Sequence, residues 1–278
     1  SVEVEPNMVT ELRHILLFPR SVAYATSTGA EIRFLNELLV KSGQEKNKEE
    51  LTAVKKIYLT KSGELVQKTG TTTNLLASNV HSFDWINNII FFVNNSGFLA
   101  RLNPETAVVE TIEHPGFFLN QEDVKFFPSP SGDTLILDSS GGIYLLDPNG
   151  ILQPLSIGNN VKNVRFDERG KKALLVKEAG LEILWLENNP YQPFQKRGDH
   201  EIVIQIPEKI QDAGWFYGDN AHVVLQTRDG IFITELDGRG GRYTVELLSG
   251  KTETLLTAPE RPDSIFFQRN KKWFEIKL

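Results

Sequence analysis

The chain is predicted to be all-β, built from a series of small antiparallel sheets. Three observations carry this. Short apolar runs of strand length recur along the chain, rich in Ile, Val, Leu and Phe. Each is bounded by Gly, Asn, Asp, Ser or Pro, the residues that make tight turns. The whole layout then repeats: an apolar strand ending in an aromatic, a polar turn, a second apolar strand, a second turn, a third strand.

Taken in order, the first repeat runs from His81 through Phe83 and Trp85, turns at Asn87-Asn88, and continues as Ile89–Val93 and Phe98–Leu102. The second has Val124–Phe127, a turn at Pro128–Gly132, then Thr134–Leu137 and Ile143–Leu146. The third has Val164–Phe166, Ala173–Val176 and Leu181–Leu186. The fourth has Ala213–Phe216, His222–Leu225 and Ile231–Leu236, and the fifth has Ser264–Phe267 and Trp273–Ile276. Trp85, Phe127, Phe166, Phe216 and Phe267 recur at a spacing of roughly 40–50 residues, the period of a β-propeller blade. One blade has two apolar faces and cannot bury both alone, so blades stack on one another. These five aromatics are therefore expected between blades. A run such as Ile89–Val93 is continuous rather than alternating because both its faces are covered.

A fourth strand follows a turn in each repeat: Val108–Ile112 after Asn103-Pro104, Ile151–Leu155 after Asp147–Gly150, and Tyr243–Leu248 after Asp237-Gly238. In the third repeat, Glu187–Glu201 intervenes before Ile202–Ile206, giving an extended hairpin with Pro190 and Pro193. Near the start, Lys55–Lys68 reads as the outer hairpin of a blade whose inner strands come from Ser264–Leu278. That arrangement gives five blades, with the ring closed by the C-terminal strands and two exposed edges removed. Six blades is the alternative, with Val22–Thr26 and Glu31–Leu35 as inner strands of the first. Lys41–Glu50 is a solvated loop or short helix.

Composition narrows the function classes. Lys plus Arg is 30 against 36 Asp plus Glu, which argues against nucleic-acid binding through phosphate contacts. With no cysteine, disulfides, thiol catalysis and Cys-ligated metal are excluded. No run approaches the roughly 18–20 apolar residues of a membrane span. No signal peptide is visible at Ser1, and a chain starting with Ser, its single Met at Met8, reads as a fragment or processed form. Any membrane contact would then come from a segment upstream.

Phe127-Pro128-Ser129-Pro130-Ser131-Gly132 with Leu135-Ile136-Leu137 resembles the F-S-P-D-G turn of TolB-like and WD40-like propeller repeats. Ile231–Arg239 resembles the I-Y-V-M-D-x-D-G element of the same repeats. The Gly-His and Trp-Asp dipeptides of WD40 blades are absent, which favours the TolB-like branch. Val2–Glu11 with Ile15–Pro19 is similar to the last strands of a PEGA domain, although the motif that names that domain is not present. The resemblance implies an end of a PEGA-like β-domain or linker over 1–19 and a propeller over 20–278. It further implies a place in the extracytoplasmic bacterial cell envelope, anchored by a segment outside this chain, with a cytoplasmic location as the alternative.

Catalytic signatures are missing. His14, His81, His114, His200 and His222 have no metal-ligand spacing. Asp133, Asp138, Asp147, Asp167, Asp219, Asp229 and Asp237 fall where turns need an acceptor for backbone N–H groups. There is no nucleophile elbow or phosphate loop, and Gly238–Arg242 lies between outer strands. No catalytic residue, metal or cofactor is assigned. The expected function is a non-catalytic binding or scaffold propeller contacting a protein or envelope glycan. The alternative is a glycan-active hydrolase or lyase with its site at the central channel. The candidate contact residues are Tyr191, Phe194, Lys196 and Arg197, on the one insertion outside the repeat pattern. Either their rings meet a partner or they fold back over the blade edge.

Overall fold

Runs of β-branched and aromatic residues between turn formers become strands because such side chains pack well on a pleated surface. The computed structural model describes residues 9–12, 55–69, 71–86, 89–112, 124–157, 160–191 and 193–278. Among the described residues, every regular element is a strand and every sheet is antiparallel. Strand β1 (Val9–Leu12) comes first. Strands β2 (Lys55–Leu59), β3 (Leu65–Thr69) and β4 (Thr72–Ala77) form a three-stranded sheet. Next come β5 (Val80–Ile86), β6 (Ile89–Asn94), β7 (Leu99–Asn103) and β8 (Val108–Ile112). The following sheet is β9 (Lys125–Pro128), β10 (Thr134–Leu137), β11 (Ile143–Leu146) and β12 (Leu152–Leu155). Then follow β13 (Val161–Phe166), β14 (Lys172–Lys177), β15 (Gly180–Trp185) and β16 (His200–Gln205). A fifth sheet holds β17 (Asp212–Phe216), β18 (His222–Gln226), β19 (Gly230–Glu235) and β20 (Thr244–Ser249). The last holds β21 (Thr254–Ala258), β22 (Arg261–Arg269) and β23 (Lys272–Lys277), with β1 outside β23.

Small sheets of consecutive antiparallel strands fit propeller repeats. The described residues hold six of them, not the five expected. The difference lies near the start. Lys55–Thr69 does not borrow inner strands from the chain end; it pairs with Thr72–Ala77 in its own sheet. The C-terminal strands are paired, as expected, but their partner is β1, with Val9 opposite Ile276 and Leu12 opposite Trp273. Val22–Thr26, Glu31–Leu35, Lys41–Glu50 and most of the PEGA-like segment lie outside the described residues.

The described strands fall into two compact units. One, within Phe18–Phe126, contains β2 to β8; its core is Leu65, Val80, Ile90, Phe92, Ala100 and Leu102. The other joins Ser1–Leu17 to Phe127–Leu278, with β9 crossing the division. Its sheets pack face on face through three apolar layers. The first sets Leu135, Ile143 and Leu145 against Val164, Phe166 and Leu175. The second sets Leu174, Val176 and Ile183 against Ala213, Trp215 and Val223. The third sets Phe216, Val224 and Ile231 against Leu255, Ile265 and Phe267. Burying one such side chain stabilises by about 1.5–3 kcal/mol.

Of the five periodic aromatics, Phe166, Phe216 and Phe267 are buried and Phe127 is half-buried against the first layer. Trp85 is 39% exposed, contrary to expectation. It sits opposite Ile90, one pair from the end of the β5–β6 hairpin, outside the core cluster of its unit. The period marks the position along the strand, but not how far the covering layer extends.

Polar ties between neighbouring sheets add to the apolar layers. Trp215 Nε1 donates to the Arg165 carbonyl at 2.9 Å, and the Arg165 guanidinium meets Asp212 at 2.9 and 3.0 Å. At the β13–β14 turn, the Gly170 carbonyl accepts from Ser129 Oγ and Ser131 Oγ, both at 3.0 Å. Gly170 has φ +69°, and a Cβ there would lie 2.1 Å from Ser129 Oγ, so the approach needs glycine twice over.

Candidate functional site

The insertion between β15 and β16 is built by its own side chains. Backbone pairing continues past the strands, with Trp185 N–H donating to the Asp199 carbonyl and Gly198 N–H returning to Trp185. Further out, Asn189 and Gln195 exchange backbone hydrogen bonds of 2.8 and 3.2 Å. The tip between them is cross-braced. Asn189 Nδ2 donates to the Pro193 carbonyl at 2.8 Å, while Asn189 Oδ1 accepts from Tyr191 N–H at 3.3 Å. Asn188 Oδ1 accepts from Arg197 N–H, and Asp199 Oδ2 from Lys196 N–H. Short Asn and Asp side chains substitute here for the ladder that the two prolines interrupt.

Arg197 ties this hairpin to the neighbouring sheet. Its guanidinium donates to both Asp133 oxygens, at 2.7 and 2.9 Å, and to the Leu186 carbonyl. The Asp133 carboxylate raises the Arg197 pKa, partly against the effect of burial. Asp133 thus departs from most of the other turn acids, as does Asp229, whose backbone N–H donates to Thr227 Oγ1 at 3.1 Å. Asp138, Asp147, Asp167, Asp219 and Asp237 each accept a backbone N–H of their own turn, as the sequence pattern implies. His222 is likewise local, with Nδ1 2.6 Å from Asp219 Oδ2.

Two clefts flank the hairpin base. One, of about 360 Å³, is lined by Ser131, Asp133, Asp147, Lys171, Glu187 and Arg197 among others. The second, of about 440 Å³, is lined by Lys171, Lys172, Trp185, Glu187, Pro190 and Tyr191 among others. The Lys171–Glu187 ion pair stands where they meet. Lys172 is held more deeply. Its ammonium lies 5.6 Å from the Trp185 ring and 5.0 Å from the Trp215 ring, and donates to the Asn220 carbonyl at 3.1 Å. Burial pushes its pKa down, partly offset by Asp167 and Asp219. Burial also pushes the Asp167 carboxyl up, opposed by the N–H groups and charge of the Lys171-Lys172 turn.

The four sequence-derived candidates therefore have different surroundings. Tyr191 is 77% exposed and Phe194 69% exposed. Lys196 is exposed beside them, and Arg197 is engaged with Asp133. Sequence reasoning missed Lys172 and Trp185. Their available signal was a Lys-Lys pair after the Asp167–Gly170 turn and a Trp closing the strand before the insertion. Among the described residues, no three His, Cys, Asp or Glu side chains cluster as metal ligands.

No family model and no curated protein matches the chain. Solved structures similar to it include YCF48 from Cyanidioschyzon merolae, at 12% identity and TM-score 0.49, covering 80% of this chain and 79% of that one. YCF48 bound to D1 peptide is 13% identical with TM-score 0.46, covering 81% and 76%. The extracellular domain of BT4673 from B. thetaiotaomicron is 12% identical with TM-score 0.47, covering 79% of this chain and 33% of its own.

Proposed function

We propose that the chain is a non-catalytic binding module of propeller repeats whose contact surface is the hairpin 186–199, offered to a protein partner. One observation carries this: Tyr191 and Phe194 stand exposed on a tip that is braced internally and pinned from below by Arg197. Rings that protected the sheet edge would lie against it. A tip already ordered by Pro190, Pro193 and its Asn braces loses little entropy on binding. Aromatic side chains at such sites supply much of an interface's energy. Lys196 adds a cation on an otherwise acidic chain. The same reading places the module in the bacterial cell envelope, supported by the TolB-like residues 127–132 and 231–239.

The test is a quantitative pull-down from envelope extract with wild type and the Tyr191→Ala/Phe194→Ala double variant. Two hot-spot aromatics at about 2 kcal/mol each predict a loss of affinity of two or more orders of magnitude for the specific partner. The unfolding midpoint should stay close to wild type. A double variant that keeps its partners, or that loses only stability, removes the hairpin as the contact surface.

A further inference from the structure

The turn between β11 and β12 carries the chain's one Asn-Gly pair, Asn149-Gly150. Asn149 is exposed, and its side-chain amide makes one long hydrogen bond, Nδ2 to Asp147 Oδ2 at 3.5 Å. Gly150 has no side chain to shield its nitrogen, and a Cβ built there would meet nothing within 4 Å. The other Asp147 oxygen accepts the Ile151 N–H at 2.8 Å, so one carboxylate gathers the Asn149 amide and the backbone just past Gly150. What restrains the Gly150 nitrogen is a turn bond, its N–H to the Asp147 carbonyl at 3.0 Å. An exposed loop tip opens locally at low cost. Asparagines elsewhere are better guarded. Asn95, which precedes Ser96, is tied to Asn79 at 2.8 Å. Asn103 and Asn189 precede prolines, which have no N–H. Asn160 and Asn163 precede valines, whose branched Cβ crowds the nitrogen.

We propose that Asn149 is a modification site, converted without an enzyme to aspartate and isoaspartate through a cyclic imide. When the turn bond opens, the Gly150 nitrogen attacks Asn149 Cγ. The new C–N bond closes the imide ring, the Cγ–Nδ2 bond breaks, and Nδ2 leaves as ammonia with the proton that Gly150 gave up. Water then opens the ring. Cleaving the bond to Cγ restores the normal backbone with an aspartate side chain. Cleaving the bond to the main-chain carbonyl carbon gives isoaspartate, with the chain running on through Cβ and Cγ. Either product adds a carboxylate beside Asp147, in the wall of the cleft that also holds Asp133 and Arg197. Isoaspartate also lengthens the turn by one carbon. Hairpin register follows turn length, so the bond from Asp147 N–H to the Ile151 carbonyl and the pairing of Leu146 with Leu152 are lost, and β12 loosens from β11.

The experiment ages the whole folded chain in mildly alkaline buffer, beside the same chain unfolded in guanidinium. Peptides released at acidic pH are followed by mass spectrometry, which detects an amide replaced by an acid, and by enzymatic methylation of isoaspartate. In the folded chain, Asn149 should be the first asparagine lost, giving two products of equal mass of which one is methylated. Hydrogen exchange at the Ile151 amide should stay close to wild type in Asn149→Asp, which keeps the normal backbone. In the isoaspartate fraction it should be at least about tenfold faster, as loss of a hydrogen bond to a carboxylate implies. Loss of Asn149 in the unfolded chain alone would mean that the turn bond protects Gly150, and would overturn the site. Other asparagines converting before Asn149 in the folded chain would overturn it as well. An isoaspartate fraction with the Ile151 amide as protected as in wild type would overturn the loosening of β12.

Discussion

Replacing Arg197 by alanine tests how the hairpin is held. In the native chain its guanidinium forms a two-pronged pair with Asp133 and also satisfies the Leu186 carbonyl. The Asp133 side chain is only 5% exposed, whereas that of Arg197 is 36% exposed. Removing the arginine strands a buried carboxylate whose other side-chain contact is Ser131 Oγ at 3.4 Å. A fully buried pair broken this way costs about 3–5 kcal/mol. Solvent on the arginine side screens the pair, which brings the expectation down to about 2 kcal/mol. The loss should fall first on the hairpin, where its own braces and the half-exposed Lys171–Glu187 ion pair remain. Trypsin supplies the assay, because the bond after Lys196 lies beside the substitution. If cleavage proceeds from a transiently opened hairpin, about 2 kcal/mol corresponds to an increase in rate of roughly 30-fold. Arg197→Lys, which keeps the charge but not the fork, should fall between. A double-mutant cycle with Asp133→Asn should recover most of the loss as coupling. If Arg197→Ala is cut no faster than wild type and unfolds within about 0.5 kcal/mol of it, the pair does not hold the hairpin.

Two further outcomes are expected. Gly170→Ala should destabilise by at least about 2 kcal/mol in urea, combining a left-handed backbone with an obligatory shift of Ser129 and Ser131; Ser129→Ala should restore only part, because the Ser131 nitrogen also lies 2.6 Å from the new Cβ. The Tyr144 hydroxyl donates to Asp138 Oδ2, and burial together with that carboxylate pushes its pKa up to about 12. An unfolded tyrosine ionises at about 10, so the stability Tyr144 contributes is complete below about pH 10 and is lost as pH rises toward the folded value. Urea midpoints across that range should show this fall in wild type and a shallower one in Tyr144→Phe.

Much of the fold is legible because strand and turn are local matters. The apolar run in β6 is buried from Ile90 to Val93, and five of the seven turn acids accept the backbone N–H groups that their positions imply. The number of sheets was not legible, because a strand's side-chain pattern says which faces are covered and not which strand lies beside it. Val9–Leu12 carries no mark that its partner is β23. The hairpin is conspicuous by its length, yet the roles within it divide in ways spacing does not reveal. Arg197 looks like Lys196 in sequence, and only the fold brings Asp133 within reach of one of them. Lys172 looks like an ordinary turn lysine until Trp185 and Trp215 close around it.

The pairing of β1 with β23 also bears on how the protein is made. Strand Val9–Leu12 leaves the ribosome well before the strand it pairs with, Lys272–Lys277. Until Lys272–Lys277 emerges, β1 has no partner, and until β1 docks, β23 presents an open edge that another nascent chain can pair with. At equilibrium the long separation is inexpensive, because each doubling of a closed loop adds only about 0.6 kcal/mol. Kinetically it is the slowest kind of contact to make. The docking of this four-residue strand is therefore expected to close its sheet late, and dilution or chaperone capture before it docks should govern yield more than the stability of the finished sheet.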